Sequence, residues 1–168
     1  PPRPMRKQLL AAMGGIVGAR WQDDAQLHLT LRFIGEVDRH RAEDVAAALG
    51  AVHHPRFPLA LAGLGQFDRN GRIDSLWAGV TPHDAVTALH NKVDQALLRI
   101  GIAPDTRAFL PHITIARFSR KSAPKTATLG NAIGLSSEPQ EMTAFCLYES
   151  RLGGEGATYD IIARYPLS

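Results

Sequence analysis

The tetrapeptide His28-Leu29-Thr30-Leu31 returns half a chain length later as His112-Ile113-Thr114-Ile115, and no other feature restricts the fold as tightly. Each copy sits in an alternating run, Leu27 to Phe33 and His112 to Phe118, rich in β-branched and aromatic residues, which predicts a strand. Successive side chains of a strand point to opposite faces, so His28 and Thr30 share one face while Leu27, Leu29 and Leu31 share the other. His112 and Thr114 oppose Ile113 and Ile115 in the same way. Within each copy the imidazole and the hydroxyl stand roughly 7 Å apart along the strand, a span over which both can touch one tetrahedral group. The remainder of the chain is expected to be a scaffold that holds the two copies face to face.

The other segments read in order. Met5 to Ile16 predicts a helix weakened at its end by Gly14 and Gly15. Trp21, in a polar connection, is expected to cover the rim of the core. Asp38 is placed to cap a helix from Arg39 to Leu49, with Val45, Ala48 and Leu49 inward and Gly50 closing it. Phe57 to Phe67 and Arg72 to Val80 predict two strands around Asn70-Gly71, a dipeptide suited to a tight hairpin turn. Thr81 can cap the next helix, with Pro82 at its first position and Asp84 completing a box-like start. Val86, Leu89, Val93, Leu97 and Ile100 fall on one stripe of that helix, and Gly101 ends it. Ser119 to Pro139 is rich in Ser, Ala, Pro and Gly and predicts a loop. Strands from Thr143 to Tyr148 and from Thr158 to Tyr165, joined by a Gly-rich turn at 153–156, complete the chain. Antiparallel hairpins with few helices between them indicate the α+β class.

A chain of 168 residues is expected to form a single domain with a substantial core. The formal charge of +3 permits an anionic partner without demanding one. No apolar run approaches the roughly 20 residues of a membrane helix, and nothing reads as a signal peptide. The single cysteine, Cys146, excludes an internal disulfide and a Cys-based zinc site. A cytoplasmic enzyme without a metal is the expectation.

Two imidazoles suit paired acid and base catalysis at a tetrahedral group near neutral pH. Imidazole titrates near 6.5, so one ring can take a proton from water while the other gives one to the leaving oxygen. Thr30 and Thr114 offer neutral donors to the non-bridging oxygens, where negative charge accumulates. Because both protonation states are needed at once, rate against pH is expected to be bell-shaped. The residues alone do not say which histidine is acid and which is base.

The stretches His28-Leu29-Thr30-Leu31-Arg32-Phe33-Ile34-Gly35-Glu36-Val37 and Phe109-Leu110-Pro111-His112-Ile113-Thr114-Ile115-Ala116-Arg117 resemble the two-histidine (2H) phosphoesterases. Within them, the chain is similar to the bacterial and archaeal RNA 2′,3′-cyclic phosphodiesterases, historically called 2′-5′ RNA ligases. Gly63-Leu64-Gly65-Gln66-Phe67, Leu76-Trp77-Ala78-Gly79-Val80 and Leu147-Tyr148-Glu149-Ser150-Arg151-Leu152 extend the likeness over nearly the whole chain. The resemblance implies two pseudo-symmetric lobes of antiparallel sheet backed by helices around a central cleft. It also implies an apolar strand ahead of Pro1-Pro2, which this sequence lacks. By resemblance His28 protonates the 3′ leaving group, His112 activates water and the product is a 2′-phosphate. Thr30, Thr114 and Arg117 bind the substrate, no metal or cofactor takes part, and the enzyme is a monomer acting on RNA or oligonucleotides with a 2′,3′-cyclic phosphate end. Run backwards, the same site would make a 2′-5′ linkage. The alternatives are a non-catalytic RNA-end binding module, a His-ligated metal hydrolase, and a sibling enzyme acting on ADP-ribose cyclic phosphate or 2′-5′ oligonucleotides.

Several flanking residues carry two readings. Arg117 belongs to the family pattern, yet strict alternation puts it on the face of Ile113 and Ile115, so it reaches the cleft only if the strand ends, twists or bulges after Ala116. Otherwise it forms a structural salt bridge. Arg32 has cleft parity but only a loose family match. Phe33 and Phe118 are expected in the core, and His40, His53, His54, His83 and His90 on the surface. Arg69 and Arg72, and likewise Arg120, Lys121 and Lys125, either meet RNA phosphates or keep loops soluble.

Overall fold

The structure, a computed structural model, describes residues 1–119, 121–124, 134–153 and 156–168. Two compact units emerge, one from Pro1–Leu29, Pro58–Thr81 and His112–Gln140, the other from Thr30–Phe57, Pro82–Pro111 and Glu141–Ser168. With α1 (Arg3–Ala12), β1 (Ala19–Trp21), α2 (Arg39–Gly50), β2 (Phe57–Arg69), β3 (Arg72–Thr81), α3 (His83–Arg99), β4 (His112–Phe118), β5 (Gln140–Met142), β6 (Ala144–Gly153) and β7 (Gly156–Pro166), the chain is α+β. Five strands form one sheet in the order β1-β4-β3-β2-β5, and β6 pairs with β7 alone.

The first unit is built on that five-stranded sheet. Asn70 and Gly71, at φ 54° and 72°, make the tight turn between β2 and β3 that the dipeptide favours. On β3, Leu76, Ala78 and Val80 are buried, as are Ile113, Ile115 and Ala116 on β4. Met5 and Leu9, one turn apart on α1, are fully buried, which is the face an amphipathic helix turns to a core. The helix stops at Ala12 ahead of Gly14 and Gly15, both at positive φ, four residues short of the predicted Ile16. Strand β1, unforeseen in the sequence, runs antiparallel to β4 with Ala19 opposite Phe118, Arg20 opposite Arg117 and Trp21 opposite Ala116. Trp21 is therefore half-buried in a strand, not in a connection.

In the second unit α2 packs on α3 and on β7. Asp38 caps α2 by accepting from the Arg41 amide at 2.8 Å, as the sequence predicts. The Tyr165 hydroxyl donates to the Ala46 carbonyl at 3.0 Å, and its ring stacks on Phe145 at 4.9 Å. Val86, Leu89, Val93 and Leu97 form the buried stripe of α3. Its start differs from the capping box expected, because Thr81 ends β3 and Pro82 takes the cap position without a side-chain hydrogen bond. Strands β6 and β7 are longer than predicted, pairing from Ala144 and Pro166 to Gly153 and Gly156.

The predicted strand over 27–33 is the main departure. Only Leu29 pairs, through an isolated antiparallel bridge to Ile113. Side chains take the carbonyls that a ladder would use. The His28 imidazole meets the Gln26 carbonyl at 2.8 Å, His90 meets Leu31 at 2.6 Å, and Arg32 donates to Phe33 at 2.6 Å and to Ala103. Backbone acceptors satisfied in this way leave no ladder to form. Phe33, predicted for the core, is accordingly 63% exposed, whereas Phe118 is buried.

Two histidines expected at the surface are structural. His54 is buried, its Nδ1 2.8 Å from the Pro55 carbonyl and its ring edge-on to Phe57. His90 stacks on Phe109 with centroids 4.0 Å apart. His40, His53 and His83 are exposed as expected. Arg69 pairs with Asp74 at 3.8 Å, and Arg72 donates to the Ala123 carbonyl at 3.0 Å. Lys121 is exposed, while Arg120 and Lys125 lie outside the described residues.

Arg32 proves to be a brace. Its side chain is only 6% exposed and its Nε donates to Asp94 Oδ1 at 2.7 Å. Removing one partner of a buried ion pair strands the other charge, so Asp94→Asn is expected to lower stability by about 3 kcal/mol, measured as a fall in the urea midpoint at unchanged slope.

Candidate active site

The site is assembled on one face of the first unit. Opposite residues of an antiparallel pair point to the same side, so the register of β3 on β4 reads the face directly. Gly79 lies opposite His112, Trp77 opposite Thr114, and Ser75 opposite Arg117. Residues 75, 77 and 79 alternate without interruption, but 112, 114 and 117 do not. The register slips between Leu76 and Trp77, leaving Ile115 as an extra residue on β4, which is a β-bulge. Ile115 and Ala116 both turn inward and are buried, and the parity of the strand reverses after them. Arg117 consequently shares the face of His112 and Thr114. The irregularity that the sequence required for this lies just before Ala116 instead of after it.

His28 reaches the same unit by the Leu29–Ile113 bridge. A capping box, with the Asp23 carboxylate accepting from the Gln26 amide at 2.9 Å and the Gln26 side chain accepting from the Asp23 amide at 3.2 Å, winds residues 24–26 into one 3₁₀ turn. That turn absorbs the slack between β1 and Leu29, both of which run along β4. Residues flanking an antiparallel bridge point away from the bridged pair, so His28 lies on the side of β4 that carries His112 and Thr114. The two motif segments are thus side by side along one line of pairing. Thr30 opens the second unit and is exposed.

The environment of His28 sets its chemistry. A carbonyl can only accept, so Nδ1 carries the proton in the bond to Gln26, which leaves the lone pair of the neutral ring on Nε2. Burial first of all, and then the charge of the amino terminus at Pro1 followed by those of Arg117 and of His112 when protonated, hold its pKa below the ordinary 6.5, against the raising effect of the Gln26 bond. The neutral imidazole is favoured before any anion arrives.

Around His112 stands an aromatic wall absent from the sequence-predicted set. Phe67 meets the imidazole edge-on at 5.0 Å and 84°, and Trp77 lies 5.9 Å from it. The Trp77 indole covers Gly65, where a Cβ would come within 2.2 Å of the ring. A hydrogen in place of a side chain is what lets the indole lie flat on β2. The text carried no signal for it: counted straight through the Asn70-Gly71 turn, Gly65 would face Leu76, and only the slip in register between Phe67 and Asp68 brings Trp77 onto the face of Gly65 and Phe67.

The chain matches the model of the LigT-like phosphoesterases over residues 1–77 and 79–159. It is 32% identical over 88% of its length to the RNA 2′,3′-cyclic phosphodiesterase of Geobacillus stearothermophilus, of whose length it spans 47%. To the protein of the same name from Aeropyrum pernix it is 31% identical, covering 82% of this chain and 80% of that one. A crystal structure of E. coli LigT complexed with 3′-AMP superposes with a TM-score of 0.79 at 26% identity, over 99% of this chain and 93% of that one.

Two outcomes are expected from this geometry. In an NMR titration the His28 ring should have its midpoint below 6.5, and Arg117→Ala, which removes a nearby cation, should raise it. Gly65→Ala should lower stability by about 1–3 kcal/mol in a urea titration, because the indole has no room to yield.

Proposed function

Because this chain belongs to the LigT-like phosphoesterase family, we propose that its paired His-x-Thr-x segments hydrolyse 2′,3′-cyclic phosphate ends of RNA to 2′-phosphomonoesters, without a metal. The observation that carries the reading is the bridge between Leu29 and Ile113, since a site of this kind needs two imidazoles on one side of one pairing line. The shared name of the curated relatives supports the substrate class, as does the nucleotide held by E. coli LigT.

In the proposed reaction His112 takes a proton from water, whose oxygen adds to phosphorus opposite the 3′ oxygen. The bond from phosphorus to that oxygen breaks, and His28 Nε2 supplies its proton. Thr30 and Thr114 donate to the non-bridging oxygens, with the Arg117 guanidinium beside them. Acid duty for His28 requires its charged form, which burial and the nearby Arg117 cation oppose before substrate binds. A phosphate anion seated beside the ring reverses the sign of the local field and raises the pKa, so His28 becomes an acid when the substrate binds. All five residues come from one chain, so a monomer suffices. Among the described residues no helix is long and apolar enough to cross a membrane, and Cys146 is a free thiol, in keeping with a cytoplasmic setting.

Turnover of a nucleoside 2′,3′-cyclic phosphate in excess chelator tests the reading. The wild type should yield the 2′-phosphate with a bell-shaped dependence on pH. His28→Ala and His112→Ala should each lower kcat by about 10²- to 10⁴-fold. RNA-end binding without turnover would favour a binding module, and loss of activity in chelator would favour a metal hydrolase.

A further inference from the structure

We propose that Arg20 binds the phosphodiester immediately upstream of the reacting RNA end, so that the site holds a chain of at least two nucleotides more tightly than a mononucleotide. The proposal rests on the RNA-end reading above. It starts from the register of β1 on β4, in which Arg20 stands directly opposite Arg117. Directly opposed residues share a face, so two guanidiniums project side by side from the face that carries Thr114 and His112. Like charges in this arrangement repel, and a protein has cheap ways to avoid the repulsion.

Elsewhere the chain uses them. Arg6, Arg32, Arg69 and Arg107 each meet a carboxylate. Among the described residues neither Arg20 nor Arg117 has an ion-pair partner, and both are exposed. Across β4 from Arg117 the next residue on this face is Ser75, a neutral group that is buried. Further along, the face carries Trp77 and Phe67, so among the described residues the neighbouring positions of β2 and β3 on this face offer no carboxylate to neutralise the pair. A net charge of only +3 over 168 residues makes two adjacent uncompensated arginines a local arrangement and not a general excess.

The order of the two along the sheet assigns their roles. Arg117 lies on β4 itself, on the face of Thr114 and His112, which puts it nearer the reacting phosphate. Arg20 is one strand farther out, on the edge strand of the sheet. Successive phosphates of a single strand are separated by one sugar, and two long side chains on neighbouring strands can meet them one each. The planar fork of a guanidinium is the group best matched to two phosphate oxygens.

The test compares binding of adenosine 2′-monophosphate with that of the dinucleotide ApA ending in a 2′-phosphate, which adds one phosphodiester and one nucleoside. Calorimetry on the wild type should show tighter binding of the dinucleotide. Arg20→Ala should shrink that preference by about 10-fold and reduce the slope of log affinity against log salt by about 0.7. Arg20→Lys, which keeps the charge and loses the planar fork, should restore the salt slope and part of the preference. Replacing the internucleotide phosphate by an uncharged methylphosphonate should imitate Arg20→Ala on the wild type and add nothing to the loss in the variant. A wild type without preference for the dinucleotide, or an Arg20→Ala variant that keeps the preference, overturns the proposal. Wild-type turnover of a mononucleotide cyclic phosphate with no such preference leaves the catalytic reading standing while this one fails. An Arg20-dependent preference in a protein that turns over nothing has the opposite meaning.

Discussion

A β-strand gives each face every second residue, and β4 breaks that rule once. Two consecutive residues, Ile115 and Ala116, turn into the core opposite the step from Leu76 to Trp77. The second of them is small, which is what allows adjacent inward side chains to fit beside one another. Everything beyond the bulge is displaced by one position, and Arg117 exchanges an apolar interior for the face of His112 and Thr114. Without the extra residue the guanidinium would point among Ile113, Leu76 and Ala78, where an unpaired charge is not tolerated. A packing irregularity in the core thus decides the chemistry of the surface.

The two motif segments reach the same sheet by different means. His112 lies on a strand paired on both sides, inside a wall of Phe67 and Trp77. His28 lies on a segment whose backbone acceptors are taken by His28 itself, His90 and Arg32, and which touches β4 through a single bridge. One imidazole is fixed by neighbours in the sheet and the other by its own hydrogen bond to Gln26. An internal repeat in sequence need not be a repeat in scaffolding, because the side chains that follow each copy differ.

Much of this was legible before any coordinates. The second motif strand, the Asn70-Gly71 turn, the Asp38 cap and the apolar stripe of α3 follow from local chemistry that involves few distant partners. The misreadings involve distant partners. Leu27 to Phe33 alternates like a strand, but Arg32 finds Asp94, 62 positions away, and His90 takes the Leu31 carbonyl from 59 positions away. Neither can be inferred from a window of seven residues. Arg117 was the instructive case: its parity was wrong for the role that the family pattern gives it, and that conflict pointed to a bulge that the register of β3 on β4 displays.

The Trp77 indole has a further consequence. Its Nε1 is shielded from solvent and has no hydrogen-bond partner among the described residues, and its ring lies 5.9 Å from the His112 imidazole. A charged imidazolium withdraws an electron from an excited indole far more readily than a neutral ring does. The emission of this tryptophan is therefore tied to the proton on its neighbour, and the molecule carries a built-in optical gauge of the state of one histidine, with Trp21 in β1 contributing the background.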